Sequence, residues 1–122
     1  MIYLAMPYSA LQPEIREQRF QIACRVTAAL LRSGLAIFSP ICHSHVLVEH
    51  GLPGDWQFWA KYDREHLQNC DELLVLTLPG WQESVGVQAE IRIATELNIP
   101  IRYLDPDSGL HSLSVTATSA NN

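Results

Sequence analysis

A chain of 122 residues, 48% of them hydrophobic, has material for one core and not for two. Its formal charge of -5 excludes a nucleic-acid polymer as the main partner, because the basic footprint such binding needs is missing, although one local anion site is compatible with it. No apolar run approaches the roughly 20 residues of a membrane span and no signal-length segment opens the chain, so no membrane partner and a cytoplasmic location are expected. Cys24, Cys42 and Cys70 are an odd count without CxxC spacing, which fits reduced thiols better than a disulfide framework.

In chain order, Met1 to Ala5 reads as a short buried strand, followed by the turn Met6-Pro7-Tyr8-Ser9. The spacing of Ile15, Ile22, Val26, Ala29 and Leu30 predicts a helix from Pro13 to Arg32, with Arg19 on the same face and Gly34 as its stop. Leu35 to Phe38 is a second strand, ended by Ser39-Pro40. From Ile41 to Asp55 a long irregular segment is expected, and loops of that length in a small domain are usually functional. Asp55 is a candidate N-cap for a helix from Trp56 to Asn69, whose inward face reads Trp56, Trp59, Asp63, Leu67, Cys70. Leu73 to Leu78 is a third strand and Pro79-Gly80-Trp81 a turn. A last helix opens at Ser84 and places Gly86, Glu90, Ile93, Ala94 and Leu97 on one face before Pro100 closes it. Ile101 to Leu104 is a fourth strand. The domain is expected to end near residue 106, with a Ser/Thr/Asn-rich tail, residues 107–122, expected to be mobile.

Strands and helices alternate, and the strands are continuous apolar runs. That pattern predicts an α/β fold, a doubly wound parallel sheet in a three-layer sandwich with four main strands in the order 2-1-3-4. Ligands of such sheets bind beyond the carboxyl ends of the strands. Here that rim is built from residues 5–9, 39–55 and 79–90.

Two carboxylates, Glu90 and Asp63, interrupt apolar stripes beside this rim, where an acid needs a partner or a task. For Glu90 the alternative is an acid favoured by the helix dipole; for Asp63 it is an ion pair with Arg19. Ser84 reads as an N-cap, and an exposed helix start also suits phosphate. Cys42, His43, His45 and His50 match no standard zinc spacing, so no metal is expected.

Tyr3-Leu4-Ala5-Met6-Pro7, Tyr62-Asp63 and Ser84-Val85-Gly86-Val87-Gln88-Ala89-Glu90 together resemble the nucleoside 2-deoxyribosyltransferase superfamily. The chain to about Leu104 is similar to small bacterial proteins of that fold, of which Phe38 to His45 and Leu52 to Trp59 are typical. The resemblance implies that Glu90 attacks the anomeric carbon of a ribose or deoxyribose, while Asp63 holds the nucleoside and assists the leaving base. At the position of Ser84 the transferases carry aspartate and the nucleoside 5′-monophosphate N-glycosidases carry serine, which implies a phosphate contact and a nucleotide substrate. Gly86, Tyr3, Pro7, Tyr8, Ser9, His43, His45, Trp56 and Trp59 are the further candidate substrate contacts. The first loop, Met6-Pro7-Tyr8-Ser9, lacks the cation the hydrolases place there. The expected activity is hydrolysis or deoxyribosyl transfer at the N-glycosidic bond of a nucleotide or nucleoside, without a cofactor, in a homo-oligomer. The alternative is a nucleotide-binding sensor module without turnover.

Overall fold

The computed structural model describes residues 1–107 and 116–117. Its sheet is centred on β1 (Ile2–Ala5), which pairs in parallel with β2 (Ile37–Phe38) on one side and β3 (Glu72–Leu76) on the other. β4 (Ile101–Leu104) continues in parallel beyond β3, giving the order 2-1-3-4. Thr116–Ala117 (β5) adds a short antiparallel pairing on the outer edge of β4, which the sequence reading did not contain. The rest of the tail expected to be mobile, residues 108–115 and 118–122, lies outside the described residues.

Four helices cover the two faces: α1 (Pro13–Arg32) and α2 (Pro40–Glu49) on one, α3 (Trp56–Gln68) and α4 (Val85–Glu96) on the other. Strand side chains alternate between these layers. Leu4, Leu74, Leu76 and Leu104 pack with Ala23, Val26 and Leu30 of α1, whereas Tyr3, Ala5, Leu73, Val75 and Ile101 pack with Leu67, Val87, Ile93 and Ala94. Both faces are therefore apolar, the reason the strands read as unbroken hydrophobic runs. Each fully buried leucine contributes about 1.5–3 kcal/mol relative to exposure. Leu97, expected on the inward face of α4, is instead the exposed C-cap residue, followed by Asn98 at φ 59°.

The clearest departure from expectation is α2, where a long irregular segment was foreseen. Ser39-Pro40 ends β2 and also starts a helix: Ser39 is the N-cap, its Oγ accepts from the Cys42 amide at 3.3 Å, and Pro40 supplies a preset φ at the first helical position. Gly51, at φ 103°, closes the helix, with its own N–H bonded to the Val48 carbonyl and that of Leu52 to the Leu47 carbonyl. Only residues 50–55 remain as a connection to α3. A Ser39→Ala variant should lose about 1 kcal/mol, visible in urea as a lower midpoint with an unchanged m-value.

Candidate functional site

Strand β1 turns Tyr3 toward the layer formed by α3 and α4, and α4 turns Glu90 back toward the sheet. The two meet: Tyr3 Oη donates to Glu90 Oε2 at 2.5 Å, in the range of charge-assisted hydrogen bonds. Tyr3 has no exposed surface and Glu90 is 6% exposed. Glu90 lies in the second turn of α4, whose first turn holds no acid, so the helix dipole does not account for its position. Burial pushes its pKa up to about 8, the Tyr3 hydrogen bond pulls the other way, and the charge of Asp63 raises it further. Burial, then Glu90 and Asp63, likewise raise the Tyr3 phenol.

Asp63 projects from α3 on the stripe that also buries Trp59 and Leu67. Its carboxyl is buried, and among the described residues Oδ1 has no hydrogen-bond partner. The expected ion pair with Arg19 is absent there too. Burial alone pushes Asp63 up to about 7. A buried, unpartnered polar atom costs about 1–3 kcal/mol, so this site holds a deficit that a ligand atom can fill. Taken singly, the two values have Asp63 ionising first. The Tyr3 donor, however, is the contact that stabilises a carboxylate at Glu90.

Both acids line one cavity of about 540 Å³, within the range of small-molecule sites. It opens at the carboxyl ends of β1 and β3, where Pro7, Tyr8 and Ser9 form one wall and Ser84 and Gly86 another. Ser84 is the N-cap of α4, accepting from the Val87 amide at 3.2 Å. Trp56 is half-buried in the third wall. A β-carbon built on Gly86 would meet only the Trp56 ring, at an ordinary 3.6 Å, so protein packing does not demand glycine there. Trp59 also lines the cavity but is mainly core, its indole N–H donating to the Pro53 carbonyl at 2.7 Å.

Three expected substrate contacts stand elsewhere. Tyr3 reaches the cavity only through Glu90. His43 is exposed and stacked on Tyr62 outside it. His45 is buried behind Tyr8 and does not line the cavity. The helical path of α2 explains the last two, since residues two apart on a helix point to nearly opposite sides. Among the described residues, no cluster of three or more His, Cys, Asp or Glu side chains is arranged to hold a metal ion.

Of the polar residues that line the cavity but were absent from the expected contacts, among them Ser44, Asp55, Gln57 and Glu83, one is a cation. Arg19, on α1, lines the cavity beside the first loop, with Nη1 donating to the Ser9 carbonyl at 2.9 Å. Among the described residues no carboxylate is ion-paired with it. Its place on an apolar helical face was the available signal, and that signal was spent on an ion pair with Asp63.

A family model, "Domain of unknown function (DUF1937)", matches residues 1–104. The chain belongs to the DUF1937 family. The matched span runs from β1 to the end of β4 and contains every residue of the DUF1937 site described above. No curated protein matches the chain.

Proposed function

We propose that this chain cleaves the N-glycosidic bond of a nucleoside 5′-monophosphate, in the manner of the nucleoside 2-deoxyribosyltransferase superfamily that its motifs resemble. The observation that carries the reading is a buried Asp63 carboxyl, whose Oδ1 has no hydrogen-bond partner among the described residues, sharing a cavity with a Glu90 held by a tyrosine. In the first step Glu90 Oε1 attacks the anomeric carbon, the carbon–nitrogen bond breaks, and its electron pair leaves with the base. Asp63 gives that base its proton. In the second step water attacks the same carbon, the bond to Glu90 breaks, and Asp63 takes the water proton, leaving sugar phosphate and free base. A second base in place of water makes the reaction a transfer.

Arg19 and Ser84 support a nucleotide rather than a nucleoside. A guanidinium without a carboxylate partner and a helix N-terminus line the same cavity as the acids, and together they suit a phosphate. The cation missing from the first loop is thereby replaced from α1. Gly86 leaves room for the ligand to approach the first turn of α4. The same reading includes a homo-oligomer, for which the exposed Val85 at the cavity mouth offers apolar surface.

Incubation with a panel of nucleosides and their 5′-monophosphates, followed by chromatography for free base, tests the reading. Base release lost in a Glu90→Ala variant is the expected result. Ligand-induced thermal stabilisation without base release, unchanged in that variant, would instead identify a nucleotide-binding module. Arg19→Ala should weaken the monophosphates at least about tenfold, the loss of one charge-assisted contact, while leaving nucleosides nearly unaffected.

A further inference from the structure

Tyr8 is the aromatic member of the first cavity wall, and behind it runs a chain of polar contacts that the proposed reaction does not use. Its hydroxyl lies 2.7 Å from His45 Nδ1, and His45 Nε2 lies 3.0 Å from Glu17 Oε1. Glu49 Oε2 approaches the same Nε2 at 3.8 Å. His45 is 3% exposed, stacked on Phe20 at 4.3 Å and met edge-on by Tyr8. The three groups come from the loop after β1, from α2 and from α1, so the contact ties three elements to one side of the cavity.

A neutral imidazole has one donor and one acceptor nitrogen, and the second partner decides which is which. Carboxylates accept only, and both stand at Nε2. That nitrogen therefore carries the proton, Nδ1 accepts, and Tyr8 donates its hydroxyl proton to His45. The phenol oxygen is left with no proton for anything else, and its two lone pairs are shared between the Arg16 guanidinium, which stands at the hydroxyl as a donor, and the cavity. On the ring edge a β-carbon on Gly54 would lie 3.6 Å from Tyr8 Cε2. The segment before α3 thus rests against a tyrosine whose orientation is set from the far side.

We propose that His45 and Glu17 are positioning residues of the cavity. They hold Tyr8 as a fixed wall and commit its hydroxyl proton, so that Tyr8 can meet a ligand only as a hydrogen-bond acceptor, selecting a donor such as a sugar hydroxyl. Its role toward a ligand rests on the nucleotide reading; the direction of the Tyr8–His45–Glu17 chain does not.

Two measurements decide it. Long-range nitrogen–proton NMR on the free protein at neutral pH should show His45 protonated at Nε2 and bare at Nδ1. A proton on Nδ1, in the neutral or the charged ring, overturns the proposal whatever becomes of the glycosidic reading. Calorimetry with deoxyadenosine and deoxyguanosine 5′-monophosphates then compares Tyr8→Phe, His45→Ala and the double variant. The expected result is a loss of about tenfold in each, no greater in the double variant, because His45 acts through the Tyr8 hydroxyl. Losses that add in the double variant overturn the proposal. Should His45→Ala fail to fold, the pair Glu17→Gln with Glu49→Gln at the surface end of the chain replaces it, because either carboxylate alone still faces Nε2: the tautomer signal should become mixed and affinity should fall. An unchanged tautomer in that double variant overturns it as well. If the unsubstituted protein binds neither nucleotide, the nucleotide reading fails and the NMR result alone decides the proposal.

Discussion

At pH 9 an Asp63→Asn variant should melt well above the unsubstituted protein, and below about pH 4 the two should melt together. Burial holds Asp63 near 7 and Glu90 near 8 in the folded chain, against unfolded values of about 4. Both folded values are raised, so between those limits the native state binds more protons than the unfolded state. The stability these groups contribute is complete below about pH 4 and is lost as pH rises through the folded values. Asparagine has the shape of the protonated aspartate and cannot ionise. It therefore removes the cost of the Asp63 charge and the repulsion that charge exerts on Glu90. A shift of this size corresponds to a few kcal/mol, or roughly 10 °C in a domain of this length. Differential scanning calorimetry of both proteins across the pH range checks it, since the groups outside the Asp63–Glu90 pair titrate alike and cancel in the difference. Equal melting at pH 9 would mean that ionised Asp63 is satisfied in the folded chain. Such a site trades stability for poised acids, which is where natural proteins accept the loss.

How far the site was legible in the sequence depended on which period governed each residue. Glu90 and Asp63 were legible because each sits on a helical stripe whose other members are apolar, and the helices formed where the stripe placed them. Ser84 was legible as a cap because serine before a periodic run satisfies an orphan amide whatever the tertiary context. The strand order followed from continuous apolar strands alternating with helices, which leaves few topologies. The failures share a cause. α2 is a weakly amphipathic helix rich in histidine and β-branched residues, so its periodicity was faint, although Ser39-Pro40 and Gly51 marked both ends. Reading it as irregular left His43 and His45 as equal candidates. The helix instead turns His45 into the core and His43 out to Tyr62. Arg19 was found on the right face and given the wrong partner: a stripe tells which way a side chain points, not which of two neighbouring elements it reaches. The Tyr3–Glu90 contact joins residues 87 apart, and no local pattern encodes such a meeting.

The largest effects on activity should separate the two acids by what the leaving base requires. With an ordinary purine nucleotide, Asp63→Asn should slow base release by about 10²–10⁴-fold, the usual worth of a general acid. With an N7-methylated purine nucleotide most of that loss should vanish, because the cationic base departs neutral without taking a proton. Glu90→Gln should slow both substrates alike, by on the order of 10³-fold or more, since the amide can neither capture the anomeric carbon nor stabilise positive charge on the sugar. In the proposed reaction Tyr3 would assign these roles: its hydroxyl donates to Glu90 and supports a carboxylate there, while among the described residues Asp63 Oδ1 has no such donor. The proposed reaction needs one negative charge on the pair, so turnover should be highest between about pH 7 and about pH 8, falling on either side. As the sugar becomes cationic it draws that charge onto Glu90 and leaves the proton on Asp63. Rates measured by chromatography for both substrates and both variants check the division. Rescue of Glu90→Gln by the methylated base, or no rescue of Asp63→Asn, would reverse the assignment and make Asp63 the residue that meets the sugar.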